Sequence, residues 1–371
     1  MNKHKVVHNC FMEKPTRSFT LPPGSATPVA FDVHSKLFSP TKILVAKMVA
    51  HEGGLTEAQL FEGTGLDALQ LADAETLTSI DQYLTVVRNL LKHYPGDDAG
   101  IRIGKLLHLS HYGMYGYAVL CASTYRQSCE IVVKYDMVGT PVLSTWAVER
   151  QEHFSWIFGP MAATTPAALG PKMFRTLLEA QFLIHIVGTI EVMGPKCIPL
   201  KARMSISAPA YAEELARAFQ CDIEFDQPLD EIIYDSAWLD CAPRMASSIM
   251  CEKACKALSR QLDELTWTAG IAGLVYEELT RLPSEFPTME AVAKQLCMTS
   301  RNLRRRLEAE GTSYQKLLTS VQKSLAIEYV TSSDLSAEEV AIKLGFSDAP
   351  SFRNAFRRWT GKTPKQFRST I

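Results

Sequence analysis

Val292-Ala293-x-x-Leu296-x-Met298-Thr299, continued by Leu303, Leu307 and Gly311, recurs as Val340-Ala341-x-x-Leu344-x-Phe346-Ser347, continued by Phe352, Phe356 and Gly361. The offset is 48 residues at the first valine and 50 at the glycines, as though one fold unit had been copied and slightly lengthened. Each copy reads as a short helix, a tight turn and a second helix whose exposed face is crowded with arginine. Two such helix-turn-helix units in one basic region imply a module that reads DNA. Between them Tyr314, Leu317, Leu318, Val321, Leu325 and Tyr329 form one helical stripe. A helix of about 18 residues is ~27 Å long at 1.5 Å per residue. That is enough to hold two reading helices about one DNA turn apart.

The side chains of each unit suit that task. In the first, Thr299 is placed to cap the second helix, and Leu303 and Leu307 face inward at i, i+4. This turns Arg301, Arg304 and Arg305 toward the groove, where arginine can meet guanine O6 and N7 with two hydrogen bonds. The Thr299 hydroxyl at the helix N-terminus suits a phosphate. In the second, Ser336-x-x-Glu339 reads as a capping box, and Gly345 as the left-handed residue that ends the support helix. Asp348 can cap the next helix, with Pro350 in its first turn. Phe352, Phe356 and Trp359 then face inward, leaving Arg353, Asn354, Arg357 and Arg358 outside. In the repeat, Arg353 and Asn354 stand where Arg304 and Arg305 do. The expected base contacts are Arg301, Arg304, Arg305, Asp348, Ser351, Arg353 and Asn354. The expected phosphate contacts are Thr299, Arg357, Arg358 and Lys362.

Outside the repeat the chain changes character. From Pro283 to Ile371 there are 14 Lys and Arg against 9 Asp and Glu, a balance of +5; the rest carries 25 against 31, or −6. A basic end on an acidic body fits a DNA-binding module joined to one with another task. Hydrophobic residues at 46% and aromatic residues at 9% of 371 suit two or three globular domains rather than a disordered chain. Residues 1–35, with Pro15, Pro22, Pro23, Gly24 and Pro28, read as a flexible arm. Residues 36–240 read as an α+β domain that binds an effector or a second copy. It opens on helical spacing in Ile43, Leu44, Lys47 and Met48, and again in Leu77, Ile80, Leu84, Val87 and Leu91. A helix over Ser123–Tyr135 precedes strands over Pro141–Val148 and His153–Phe158. Then come an apolar helix with Phe174, Leu177, Leu178, Phe182 and His185 on one face, and alternation in Ala202-x-Met204-x-Ile206 and Ile223-x-Phe225. Residues 241–265 read as a helical linker. Residues 266–371 open on a helix carrying Trp267, Ile271, Leu274, Glu278 and Leu282 that stops at Pro283. The expected fold is an α+β N-terminal sensory domain followed by an all-α DNA-binding domain, with two helix-turn-helix units joined by a long helix.

The stretch from about Trp267 to Arg368 resembles the DNA-binding domain of the AraC/XylS family of bacterial transcription regulators. Val340-Ala341-x-x-Leu344-Gly345-Phe346-Ser347-Asp348, Phe352, Phe356-Arg357-Arg358-Trp359 and Gly361-Lys362-Thr363-Pro364-x-x-Phe367-Arg368 carry the likeness. The first unit adds Met298-Thr299-x-Arg301-x-Leu303-x-Arg305-x-Leu307 and Glu310-Gly311-Thr312-Ser313-Tyr314. The body resembles the arabinose-binding type of N-terminal domain, of the branch that holds ornithine-utilisation regulators. Tyr112-Gly113-x-x-Gly116-Tyr117-Ala118, Ser123-Thr124, Ile232-x-Tyr234 and Trp238-Leu239-Asp240 carry that likeness. The chain departs from the family at Gln322, where arginine is usual, and at Cys297, where a turn often has glycine. Ala349-Pro350 is less polar than is common at the start of the second reading helix, which implies fewer bases read there.

The resemblance implies a transcription regulator, an activator or a repressor, and the short apolar runs and charged N-terminus imply a cytoplasmic one. Its partners would be double-stranded promoter DNA, RNA polymerase, a small-molecule effector and a second copy of the chain. Tyr112, Tyr115, Tyr117 and His185 are the candidate effector residues, with plain core as the competing reading. An N-terminal domain that only mediates dimerisation is the alternative. The longest apolar run, Phe182 to Ile190, is too short to cross a bilayer. Lys3, Lys5, Glu13 and Lys14 stand where a signal peptide needs an apolar core. No membrane partner, cofactor or metal is expected: His108-x-x-His111 lacks a third ligand at suitable spacing, and Cys251-x3-Cys255 lacks its second pair. The nine cysteines form no framework and read as reduced thiols. Catalysis is not expected either. Pro195-Lys196-Cys197-Ile198 comes nearest to the alkyl-accepting cysteine of DNA-repair proteins and lacks the histidine and arginine beside it. No nucleophile-elbow serine or phosphate-cradling glycine loop appears.

Overall fold

A computed structural model describes residues 20–21 and 33–368, apart from 74, 151, 162–163, 269, 282–285, 297, 311 and 333–334. Most of the expected arm, Leu282, Pro283, Cys297 and Gly311 therefore lie outside the described residues.

The first half is a sheet with helices against it. Six strands run β1 (Thr20–Leu21), β2 (Leu143–Arg150), β3 (His153–Pro160), β4 (Lys201–Arg203), β5 (Ile223–Glu224) and β6 (Asp230–Asp235), in the spatial order β1-β2-β3-β6-β4-β5. All neighbours are antiparallel except β4 and β5. Thr20 and Leu21, expected in a loose arm, instead pair with Val148 and Ala147 as an edge strand. β2 and β3 form a hairpin that starts and ends two residues later than the alternation suggested, because apolar residues fill both faces. Ala147, Phe154, Trp156 and Phe158 point into the main core, while Trp146, Val148 and Ile157 point the opposite way and are equally buried. The period-two pattern is thus masked by a sheet covered on both sides.

The inner face packs on the helix Pro171–Met193. Phe158 meets Phe182 with ring centroids 4.8 Å apart, and Trp156 meets His185 at 5.0 Å. At 23 residues this helix is long and apolar enough to cross a membrane, contrary to the reading of the short run within it. Its burial in the core accounts for that composition: 67% of its most apolar window is inside the protein. It also packs closely on the helix Ala99–Leu106, where a Cβ on Gly104 would stand 2.8 Å from the Ala180 carbonyl oxygen.

The second half is helical. Trp267 lies in the helix Ser248–Thr268, and Ile271 and Leu274 in the helix Gly270–Arg281, with residue 269 between them outside the described residues. Two helix pairs follow: Met289–Gln295 with Ser300–Ala309, and Ala337–Lys343 with Ala349–Thr360. The 19-residue helix Tyr314–Ser332 joins them. Leu303, Leu307 and Val292 bury in one cluster, and Phe352, Phe356 and Val340 in another.

Candidate DNA interface and effector cavity

Each second helix of a pair is set by its cap. The Thr299 hydroxyl accepts from the Asn302 amide at 3.2 Å, and the Asp348 carboxylate from Ser351 at 2.7 Å. The Ser336/Glu339 capping box is formed in both directions, and Gly345 sits at φ +70°. Burial of Leu303 and Leu307 leaves Arg301, Arg304 and Arg305 exposed on one face, and Arg306 joins them. Ser351, Arg353, Asn354, Arg357 and Arg358 are exposed on the last of these helices. Lys362 is half-buried in the turn behind it, its amide donating to the Thr360 hydroxyl at 3.4 Å. Two of these groups are already engaged. Arg353 pairs with Glu338 at 2.6 Å, and the carboxylate of Asp348 is held below its usual range by the hydrogen bonds it accepts from Ser351. Gln322, which departs from the family pattern, donates from Nε2 to the Leu344 carbonyl at 2.9 Å. It thereby ties the joining helix to the support helix of the second pair.

The glycine-tyrosine segment has a structural reason. Gly113, at φ +54°, starts the helix Gly113–Leu120. Gly116 lies against the Leu109 carbonyl, where an added Cβ would stand 1.7 Å from the oxygen. Thr124 caps the next helix, Tyr125–Lys134. Asp240 pairs with Arg126 at 3.1 Å, closing the Trp238-Leu239-Asp240 end onto it. His108 Nδ1 contacts a Glu191 carboxylate oxygen at 2.6 Å, and the His108 amide donates to His111 Nδ1. Cys197 is buried, and burial pushes its thiol up to about 12, away from the reactive thiolate.

Three of the four candidate effector residues, Tyr112, Tyr115 and His185, line one cavity of about 60 Å³. Tyr117 does not; it is 38% exposed on another face of its helix. Sequence reasoning missed the polar groups that complete the lining: Lys42, Asp136, Gln181 and Thr189. Lys42 is buried and donates from Nζ to the Thr140 carbonyl at 2.8 Å. Thr140 itself takes φ +58°, a conformation that β-branched residues rarely adopt and that tends to collect at functional sites. Burial pulls Lys42 down and Asp136 up, while each draws the other back toward its charged form. His185 is held down at about 4 by burial, so it is neutral at physiological pH. Its Nδ1 lies 3.0 Å from the Gln181 carbonyl oxygen and 3.2 Å from Gln181 Nε2; the carbonyl can only accept, which favours the ring proton on Nδ1. Its Nε2 is then a buried acceptor with no partner. Two signals in the sequence pointed here: a lysine on the apolar stripe Ile43-Leu44-Val45, and Gly188 within an otherwise bulky helix.

A sheet-and-helix first half and a helical second half with exposed arginine define a two-part transcription regulator. Residues 54–242 match the arabinose-binding N-terminal domain of AraC transcription regulators, and residues 292–370 match a helix-turn-helix domain. The chain belongs to the AraC family of DNA-binding transcription regulators. It is 33% identical to the ornithine utilization regulator of Pseudomonas aeruginosa over 72% of this chain and 78% of that one. An uncharacterised HTH-type transcriptional regulator of Mycobacterium tuberculosis is 29% identical over 86% of this chain and 92% of its own length. The regulator VqsM of Pseudomonas aeruginosa is 26% identical over 76% and 86%. These relatives are named as regulators, not as enzymes.

Proposed function

We propose that the two helix pairs are tandem helix-turn-helix units that read neighbouring boxes of promoter DNA, under the control of a small molecule held in the N-terminal cavity. The observation that carries this reading is the cavity itself: residues picked from the sequence meet there around an unsatisfied imidazole nitrogen, a buried lysine and a half-buried aspartate. Buried polar groups without partners are costly, and a ligand that completes them supplies the difference in affinity by which an effector shifts a population. Arg301, Arg304 and Arg305 read bases in the first unit. Asn354, Ser351 and Arg353 read fewer in the second, since Arg353 must first leave Glu338 and Asp348 is engaged in its cap. Thr299, Arg357, Arg358 and Lys362 hold phosphate. A second copy and RNA polymerase are the protein partners of this reading, and residues 36–240 and 266–371 are its working domains.

Selection of preferred DNA from a random pool by the full-length chain tests it. Two short boxes about one helical turn apart are expected. One box alone would remove base reading from the second unit. Association that depends on protein concentration, with no small molecule altering melting or DNA affinity, would favour a domain that only dimerises.

A further inference from the structure

The cavity holds a lysine and an aspartate side chain, Lys42 and Asp136, that do not touch. Lys42 spends one Nζ hydrogen on the Thr140 carbonyl. Among the described residues, the Asp136 carboxylate has no ion pair or hydrogen bond, and Lys42 comes within 4.0 Å of no carboxylate. The other titratable groups facing the space are neutral: burial raises the phenols of Tyr112, Tyr115 and Tyr125 and the thiol of Cys129, and lowers the imidazole of His185. The lining thus presents a lysine and an aspartate that do not meet and that burial pushes toward their neutral forms, one unpartnered nitrogen acceptor, and aromatic walls. An occupant carrying both opposite charges would restore the charged form of each.

Charge balance selects the occupant. A monoanion would satisfy Lys42 and leave Asp136 facing another negative charge; a monocation would do the reverse beside Lys42. Either would have to enter with a proton change. A molecule carrying both charges satisfies the two at once, and charge-assisted hydrogen bonds are the strong ones in a low-dielectric site. Resting on the effector reading above, we propose that this cavity takes a small zwitterion of the α-amino-acid type. Its carboxylate lies against Lys42, its ammonium against Asp136 and His185 Nε2, and its side chain against Tyr112, Tyr115 and Trp156. The free volume of about 60 Å³ is small beside the roughly 150 Å³ of a cavity that holds benzene, so the occupant must be compact and the lining side chains must give way to admit it.

The test uses the full-length protein, the twenty protein amino acids and L-ornithine, followed by thermal melting and tryptophan fluorescence. For each amino acid that binds, the matched acid lacking the amine and the matched amine lacking the carboxylate are titrated as well. Expected is at least one amino acid that raises the melting temperature, with both matched compounds binding at least tenfold more weakly. Lys42→Met and Asp136→Asn should each weaken that amino acid at least tenfold while preserving the far-ultraviolet circular dichroism spectrum. Should either variant fail to fold, the matched compounds on the wild-type chain still decide the matter. An acid or an amine that binds as tightly as its parent overturns the zwitterion and leaves effector control standing. So does tight binding of an uncharged aromatic such as p-cresol or indole, with no amino acid active. No change with any compound, together with DNA affinity unaltered by all of them, overturns both.

Discussion

Single side chains decide what the DNA-binding half can recognise, and they should separate into two groups. Replacing Arg301, Arg304 or Arg305 by alanine is expected to cost about 1–3 kcal/mol on the preferred site and to relax preference at one base position. Replacing Arg357 or Lys362 should weaken binding to every sequence and flatten the dependence on salt. Competition binding against single-base variants at several salt concentrations tells them apart; equal, sequence-independent losses for all five would end the assignment of the first three to bases. Glu179 sets a second residue-scale expectation. It is fully buried, accepts from the Tyr211 hydroxyl at 2.8 Å, and burial raises its carboxyl to about 7 from an ordinary 4.5. The folded chain therefore binds more protons than the unfolded chain between about pH 4.5 and 7. The contribution is fully present below that window and is lost as pH rises through it. Glu179→Gln removes the loss. Its melting temperature should match the wild type at pH 5 and exceed it at pH 8, by a stability difference of about 1–3 kcal/mol. Equal pH profiles would show that Glu179 keeps an ordinary pKa.

Whole elements are positioned by contacts that tolerate little change, and Gly116 is the sharpest. A methyl group there would overlap the Leu109 carbonyl, and relief requires moving the helix Gly113–Leu120 away from the segment that carries Tyr112. Gly116→Ala should cost at least about 1–3 kcal/mol, the usual scale of overpacking. It should also reduce ligand-dependent stabilisation, because Leu109, Tyr112 and Tyr115 all line the cavity. Unchanged melting would mean the helix shifts freely. These elements also show what could be read without coordinates. The helix pairs of the second half were legible because their signals are local: Thr299, Ser336, Gly345 and Asp348 mark ends by short-range hydrogen bonding, and Leu303, Leu307, Phe352 and Phe356 mark faces by period. Tyr112, Tyr115 and His185 could be picked from the motif and the apolar helix, since each lies in a recognisable segment. Lys42, Asp136 and Trp156 come from three distant stretches, and no local pattern says that they meet. Tyr117 shares its motif with Tyr115 yet sits two residues on, which on a helix is a different face.

At the scale of the molecule, the outer face of the strands β2 and β3 is one place where the two halves meet. Trp156 lines the cavity on one side of the sheet. Ile157, its neighbour, points to the other side, where it buries with Trp146 and Val148 against Ile327 of the helix Tyr314–Ser332. Alternation along a strand makes this unavoidable: a residue that touches the ligand side has neighbours that touch the opposite side. Leu229, just before β6, buries among Val340, Leu344 and Phe352 of the second helix pair. Glu231, which pairs in register with Ile157, is fixed on that outer face by Arg150 at 3.3 Å and Arg203 at 2.9 Å. A ligand that displaced the Trp156 ring would act on a strand whose neighbours β2 and β6 are ion-paired to each other and whose far face rests on the helix Tyr314–Ser332. Such a contact can favour one arrangement of the units over another, and an effector acts only through that difference. Ile327 offers a direct cut, being half-buried, outside the cavity lining, and packed on both the outer face of the sheet and the core of the second helix pair. Ile327→Ala should lower stability by no more than about 2 kcal/mol, the low end for a partly exposed isoleucine. Effector binding measured by melting should persist, and DNA affinity without effector should stay within about threefold of the wild type, a difference below 1 kcal/mol. What should disappear is the change in DNA affinity on adding effector. If that change survives intact in Ile327→Ala, the signal does not cross the Ile327 contact and passes instead through Leu229 or the helix Ser248–Thr268.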